Sequence, residues 1–182
     1  DGVVLAVAAG ANVVYAAGTF ATIGGQARQY IAALDAASGK ATPWQPISDD
    51  VVSVLTLANG QLYVAGQFRH IGGQGRIHLA GLDPATGAAT AWNPGCNDSI
   101  FQMVATPTTV YVCGDFIQIG GQNRSSLAAL DAVDGRATAW NPNPNDGVTS
   151  LALLGDTVYA AGPFNNIGGQ FRNRVGAVSA TT

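Results

Sequence analysis

The chain repeats itself every 48 residues, and that period restricts what it can fold into more than any other property of the sequence. The tripeptide Gly-Gly-Gln returns with its glutamine at Gln26, Gln74, Gln122 and Gln170, each followed two residues later by an arginine, Arg28, Arg76, Arg124 and Arg172. Tyr15, Tyr63, Tyr111 and Tyr159 share one register, as do Gly18, Gly66, Gly114 and Gly162, and Phe20, Phe68, Phe116 and Phe164. Three units add Asp35, Asp83 and Asp131, then Gly39, Gly87 and Gly135, then Trp44, Trp92 and Trp140. A fixed period of about 40 to 50 residues marks an array of one supersecondary unit that buries its apolar face against its neighbours. The repetition also bears on whether the glycine-hinged glutamine carries chemistry. A catalytic device is needed once per site, whereas a loop of fixed shape is needed once per unit, so the motif reads as architecture.

The second unit shows the segments most clearly: VVSVLTL, a turn ANGQ, LYVAGQF, the loop RHIGGQG, RIHLAGLD, the turn PATG and AATAW. Each segment is short, rich in β-branched or aromatic residues and bounded by Gly, Asn, Asp or Pro, which reads as four strands per unit. No stretch sustains a helical period. The expected fold is an all-β propeller built from four 48-residue repeats of four antiparallel strands, about residues 1–50, 51–98, 99–146 and 147–182, in a single domain or propeller fragment over 1–182. The last repeat ends RVGAVSATT, so it lacks its fourth strand and leaves an edge open to self-association. Because both ends fall at unit landmarks, a fragment of a larger propeller is expected. Asp35, Asp83 and Asp131 are expected to accept backbone N–H bonds in tight turns closed by a left-handed glycine, and the aromatic positions to pack between neighbouring sheets.

With 47% apolar and 10% charged residues, the chain buries a real core. Eleven acidic residues, all aspartate, against seven arginines and Lys40 give a net charge of -3 and no basic stripe, which argues against nucleic acid as a partner. No apolar run approaches the roughly 20 residues of a bilayer span. Poverty in lysine, lack of glutamate and richness in alanine, glycine and threonine suggest an extracellular or cell-surface bacterial protein. Cys96 and Cys113 fit neither a zinc ribbon nor a redox pair. Either they bridge in an oxidising compartment, or one thiol is buried and the other exposed.

The units, best seen in VYVCGDFIQIGGQNRSSLAALDAVDGRATAWNPNPNDGV, resemble the bacterial secreted β-propeller repeats called delta-sixty repeats, with their Val-Tyr-x-x-Gly-x-Phe, Gly-Gln-x-Arg, Leu-Asp and Trp-Asn-Pro pattern. The resemblance covers the whole chain and implies a secreted or cell-surface propeller, often one module of a longer protein. Kelch-like blades are a looser likeness. Quinoprotein dehydrogenase blades are another, through Ala33, Asp35, Gly39 and Trp44, although here the tryptophan follows the glycine by five residues rather than four.

With strands A to D in each unit, the A–B and C–D hairpins are expected on one face and the longer B–C and D–A connections on the other. That second face is the expected binding surface, since loops on a rigid scaffold carry function. Residues that differ among units are its ligand-binding candidates: Arg69, His70 and His78 in the second, Gln118 and Asn123 in the third, Asn165, Asn166, Phe171 and Arg174 in the fourth. Gln26, Arg28, Gln74, Arg76, Gln122, Arg124, Gln170 and Arg172 are read as structural, with a repeated carboxylate or sugar site as the alternative. Two histidines without a third good ligand argue against zinc, and no cofactor is expected. Asp98 and Asp146, with Asn97 and Asn145, either cap the inner strand or offer oxygens to calcium. No paired carboxylates or nucleophile motif supports catalysis. The function expected is a non-enzymatic binding scaffold for a protein or carbohydrate. Its alternatives are a lectin with one site per unit, or a fragment of a quinoprotein-like or glycosidase-like enzyme.

Overall fold

Every repeat builds the same local object, and a computed structural model describes it for residues 1–181. The first repeat holds β1 (Val4–Ala9), β2 (Val13–Gly18), β3 (Thr22–Ile23), β4 (Gln26–Ala27) and β5 (Ile31–Asp35). The second holds β6 (Val52–Ala58), β7 (Gln61–Gly66), β8 (His70–Ile71), β9 (Gln74–Gly75) and β10 (Leu79–Leu82). The third holds β11 (Ile100–Ala105), β12 (Thr109–Gly114), β13 (Gln118–Ile119), β14 (Gln122–Asn123) and β15 (Leu127–Asp131). The fourth holds β16 (Ser150–Leu154), β17 (Thr157–Ala161), β18 (Asn166–Ile167), β19 (Gln170–Phe171) and β20 (Val175–Ser179). In each, three antiparallel strands form the main sheet and the Gly-Gly-Gln loop closes a separate two-stranded hairpin. The described residues contain no helix.

The expected fourth strand is reduced to one bridge per repeat, Leu34 to Ala41, Leu82 to Ala89 and Leu130 to Ala137. The cause is local. Thr42, Thr90 and Thr138 accept the backbone N–H of Trp44, Trp92 and Trp140 on their hydroxyls at 3.3, 3.2 and 3.2 Å, which turns the chain out of the ladder. In the first, second and third repeats the turned tryptophan then lies edge-on to the central tyrosine, with ring centroids 5.1 Å apart for Tyr15–Trp44, 4.8 Å for Tyr63–Trp92 and 5.2 Å for Tyr111–Trp140.

Contacts divide the chain into two compact units, Asp1–Asn93 and a second that starts at Pro94. Each contains two repeats. The boundary precedes the third repeat's first strand because the linker already bonds that repeat's hairpin: Gly120 donates to the Pro94 carbonyl at 3.1 Å and Asn97 to the Gln118 carbonyl at 3.3 Å.

Within the first unit, Tyr15, Ala17, Ile31 and Ala33 of one sheet pack against Leu55, Leu62, Val64 and Leu82 of the next. The Tyr15 hydroxyl donates to the Pro84 carbonyl at 2.8 Å and the Trp44 indole to the Asp83 carbonyl at 3.3 Å. The second unit repeats the arrangement. Tyr111, Leu127 and Ala129 pack against Leu151, Val158 and Ala160, with Tyr111 donating to the Ala180 carbonyl and Trp140 to that of Ser179. The aromatic ladder thus joins sheet to sheet by a polar bond at the rim of an apolar interface, and burying each ring contributes roughly 1.5–3 kcal/mol.

Both cysteines are buried and free, so neither sequence expectation holds. Cys113 lies in the second unit's core, and Cys96 turns its Sγ to the Asp98 carbonyl at 3.1 Å, as Ser48 turns its Oγ to Asp50. Burial pushes the thiols up to about 11 for Cys96 and about 12 for Cys113. A thiol reagent at neutral pH is expected to leave both unmodified in the native chain and to label both after denaturant is added, as titrated by absorbance.

The first glycine of each Gly-Gly-Gln holds the hairpin down. At Gly72 φ is +59° and an added Cβ would stand 2.5 Å from the Ala89 nitrogen, whereas at Gly73 φ is +80° and the space is open. Gly73→Ala is therefore expected to cost about 1 kcal/mol from the left-handed backbone alone. Gly72→Ala adds a backbone clash and is expected to cost about 3 kcal/mol or more, read from urea unfolding of the two variants.

Candidate functional site

In the second and third repeats the hairpin is bonded on both of its sides. In the second repeat the Gly72 carbonyl accepts the Ala89 N–H at 2.9 Å from its own fourth segment, while the Gly72 N–H donates at 3.3 Å to Ile47 of the linker arriving from the first repeat. Arg76 adds a bond to the Thr90 carbonyl at 2.8 Å and one to Gly75 at 2.9 Å. Arg28 and Arg124 do the same to Thr42 and Thr138. The Arg172 guanidinium donates to its neighbour Phe171 at 3.0 Å. The glutamines behave otherwise: Gln26, Gln74, Gln122 and Gln170 are exposed, and no hydrogen bond ties their side chains among the described residues.

A second repeated device fixes the linker. Asp49 Oδ1 accepts the N–H groups of Arg69 at 2.9 Å and His70 at 3.0 Å. Asn97 accepts those of Ile117 and Gln118, and Asn145 those of Asn165 and Asn166. Asp1 accepts those of Ala21 and Thr22. This series, also spaced 48 residues apart, was legible in the sequence only in part, because aspartate fills its first two positions and asparagine its last two, residues that share only the accepting oxygen. Asp50, Asp98 and Asp146 each accept the next residue's N–H at 2.7 Å. Each of these carboxylates therefore points an oxygen at backbone. Among the described residues no three His, Cys, Asp or Glu side chains group as metal ligands.

Against this regular background the linker Gln45–Ser48 departs from its equivalents. Gly95 and Asn143, the counterparts of Ile47, are left-handed with φ of 63° and 45°, a conformation that Ile47, β-branched, does not take. Ile47 is instead 76% exposed, on a ridge whose Pro46 and Ser48 are buried. A cleft of about 530 Å³ lies on one side of the ridge, bounded by His70, Gly72, Gly73, Gln74 and the turn Thr86–Ala88. A second of about 380 Å³ lies on the other, against Thr22, Ala27 and Gln29 of the first hairpin. The hairpin thus folds along its own fourth segment until it meets the turn after β10, with the Gly87 carbonyl 2.9 Å from where a Gly72 Cβ would sit. The expected segregation of the two kinds of loop to opposite faces does not hold in this repeat. The cleft's size and its mix of apolar walls with a few polar groups suit a short extended segment or a sugar.

Of the candidates read from sequence, His70 borders this cleft, its Nδ1 3.0 Å from Asp49 Oδ2. Arg69 contributes its backbone to the Asp49 cap. His78 and Arg174 occupy left-handed positions, φ 62° and 68°, shared with Tyr30 and Ser126, and His78 Nδ1 lies 3.0 Å from the Gly66 carbonyl. Gln118 and Asn123 face each other across their hairpin at 3.4 Å. Asn165 accepts the Asn145 amide at 2.8 Å, Asn166 pairs across its hairpin with exposed Phe171, and neither touches the cleft. Ile47, Pro46 and Gln45 were missed. The signal available was the loss of left-handed residues at position 47 where the repeat otherwise has Gly or Asn.

Although desolvation pushes the Asp49 carboxyl up, the N–H groups of His70 and Arg69 and the His70 ring outweigh it and hold the group below the usual carboxylate range. A depressed folded-state value contributes stability that is complete above the unfolded value of about 3.9 and lost as pH falls through the lower folded value. Asp49→Asn, which keeps the accepting oxygen as Asn97 and Asn145 do, is expected to match the parent near pH 7 and to lose less stability below about pH 4. Asp49→Ala removes both caps and is expected to cost about 1 kcal/mol at either pH, measured by urea unfolding.

Residues 3–160 match the family model described as outer membrane protein assembly factor BamB. In fold the chain is similar to the computationally designed Ika4 protein, with TM-score 0.66 and 13% identity over 98% of this chain and 91% of that one. Weaker likenesses are to the designed Ika8 protein, TM-score 0.49, 13% identity, 92% and 60% covered, and to BamB from Moraxella catarrhalis, TM-score 0.39, 16% identity, 85% and 54% covered. The chain thus spans little more than half of that BamB chain. No curated protein matches the sequence.

Proposed function

This chain belongs to the family of the outer membrane protein assembly factor BamB, a β-propeller-like family, and on that footing we propose that it is a non-enzymatic propeller module that binds a protein partner through the Ile47 ridge and its flanking clefts. The exposed Ile47 carries the reading. An isoleucine three-quarters open to solvent between two clefts, on a linker whose other bonds fasten it rigidly, has no packing reason to be there. Around it the groups that can orient a ligand are few and convergent: the Gln74 amide, the His70 ring and the Thr86 hydroxyl. An extended peptide placing one apolar side chain beside Ile47 and its polar backbone against those groups fits this chemistry. The family's name, an assembly factor for outer membrane protein, supports binding over catalysis, as does the engagement of Asp49, Asp50, Asp98 and Asp146 with backbone. The resemblance of the units to secreted delta-sixty repeats supports an extracellular or cell-surface setting. No helix among the described residues is long and apolar enough to cross a membrane.

A second reading rests on a separate observation, the four exposed and unbonded glutamines at equivalent hairpin tips, which offer one sugar-binding amide per repeat. Two probes separate the readings: a phage-displayed library of random linear peptides, and a glycan array. On the peptide reading the library enriches binders that Ile47→Arg weakens at least tenfold by titration calorimetry while leaving the urea midpoint unchanged. Enrichment insensitive to Ile47→Arg overturns the site. Glycan binding at a stoichiometry near four per chain, abolished by glutamine substitution, overturns the peptide reading in favour of the lectin.

A further inference from the structure

The second hairpin and the linker beside it depart from their equivalents at three positions that meet at the cleft of about 530 Å³. Position 47 is the isoleucine of the ridge. Position 70 is histidine where the other repeats have Thr22, Gln118 and Asn166, none of which titrates. Position 75 is glycine where the others have Ala27, Asn123 and Phe171. A Gly75 Cβ would stand 4.0 Å from His70 Cδ2, so the glycine leaves that edge of the ring, next to Nε2, without a covering side chain. Asp49 fixes the ring from its other edge, with Oδ2 3.0 Å from Nδ1. An ionised carboxylate only accepts, so Nδ1 carries a hydrogen in either charge state of the ring and Nε2 is the nitrogen left for a ligand. In the other three repeats the equivalent of this acid–imidazole pair has no imidazole.

Resting on the peptide-binding reading of this cleft, we propose that His70 selects the ligand: the segment bound carries a carboxylate beside the apolar side chain that meets Ile47, and it binds more tightly when the imidazole is protonated. Charge complementarity decides the sign. His70 is the one titratable residue among those bounding the cleft, and no carboxylate lines it. The charged groups around the ring are already engaged or turned elsewhere. Asp49 reaches it from the linker, its Oδ1 taken by the Arg69 and His70 N–H groups. Asp50 accepts the Val51 N–H, and Arg76 gives its guanidinium to the Thr90 and Gly75 carbonyls. Arg69 precedes the ring on the same hairpin without bordering the cleft, and the turn Thr86–Ala88 brings no charge. While the ring is neutral, the Asp49–His70 pair carries one negative charge and repels a carboxylate. Once the ring is protonated the pair is neutral, and Nε2–H donates a charge-assisted hydrogen bond to the incoming oxygen. Asp49 itself stays ionised through this change: against desolvation, the N–H groups of His70 and Arg69 hold it below the usual carboxylate range.

The probe is a phage-displayed library of random linear peptides, panned separately at about pH 5.5 and about pH 8, on either side of the range where imidazole changes charge. Histidine-free peptides whose binding Ile47→Arg weakens are expected to carry Asp or Glu next to an apolar residue. By titration calorimetry they are expected to bind roughly three- to fivefold more tightly at the lower pH, the scale of one partly exposed ion pair. His70→Gln is expected to flatten that profile, and so is replacing the peptide's carboxylate by an amide. A urea midpoint equal to the parent's shows that His70→Gln folds; His70→Asn replaces it otherwise. Ile47-dependent peptides that lack acidic residues, bind equally at both pH values or bind more tightly at the higher one overturn the role of His70 and leave the peptide reading standing. A pH dependence that survives His70→Gln overturns it likewise. A library that yields no Ile47-dependent peptide at either pH overturns both readings together.

Discussion

In the second and third repeats the first glycine of Gly-Gly-Gln carries the connection between repeats on its two backbone groups. Gly72 accepts from Ala89 and donates to Ile47; Gly120 accepts from Ala137 and donates to Pro94. One left-handed residue thereby binds the hairpin to its own fourth segment and to the linker from the preceding repeat. A side chain there would occupy the space of the Ala89 nitrogen. The hairpin also solves an edge problem. A fourth segment that pairs at one bridge would leave its outward amides and carbonyls to other chains. Gly72 and Arg76 take the two nearest, the Ala89 N–H and the Thr90 carbonyl. The repeated glycine and arginine are thus one device, while the glutamine between them is left free at the surface.

Much of this was legible in the sequence because a period needs no homologues to be seen. The repeat, the three principal strands, the turn aspartates and the inward aromatic positions all follow from residue type and register. Asp83 receives the N–H groups of Ala85 and Thr86, as a turn aspartate should. What was not legible arose where two local preferences compete. ATAW reads as a strand on its β-branched and aromatic content, yet the threonine hydroxyl takes the tryptophan N–H and ends the ladder after one bridge. The two-stranded hairpin was hidden by its glycines, which suggest a loop to any pattern based on side chains. The disulfide alternative failed for a similar reason: spacing brought Cys96 and Cys113 near in the expected topology, but Cys96 occupies a serine's place and points at backbone.

The candidate site was the least legible part, because reading residues that vary among repeats as contacts overlooks why they vary. His78 and Arg174 vary because their position is defined by a left-handed backbone, which Tyr30 and Ser126 also meet. Asn165 and Gln118 vary on hairpins closed by backbone pairing, where many residues serve. Ile47 differs in kind. It replaces residues selected for conformation with one that cannot adopt it, and the linker changes course as a result. A substitution that alters the backbone path is a stronger pointer to a binding surface than one that changes only a side chain.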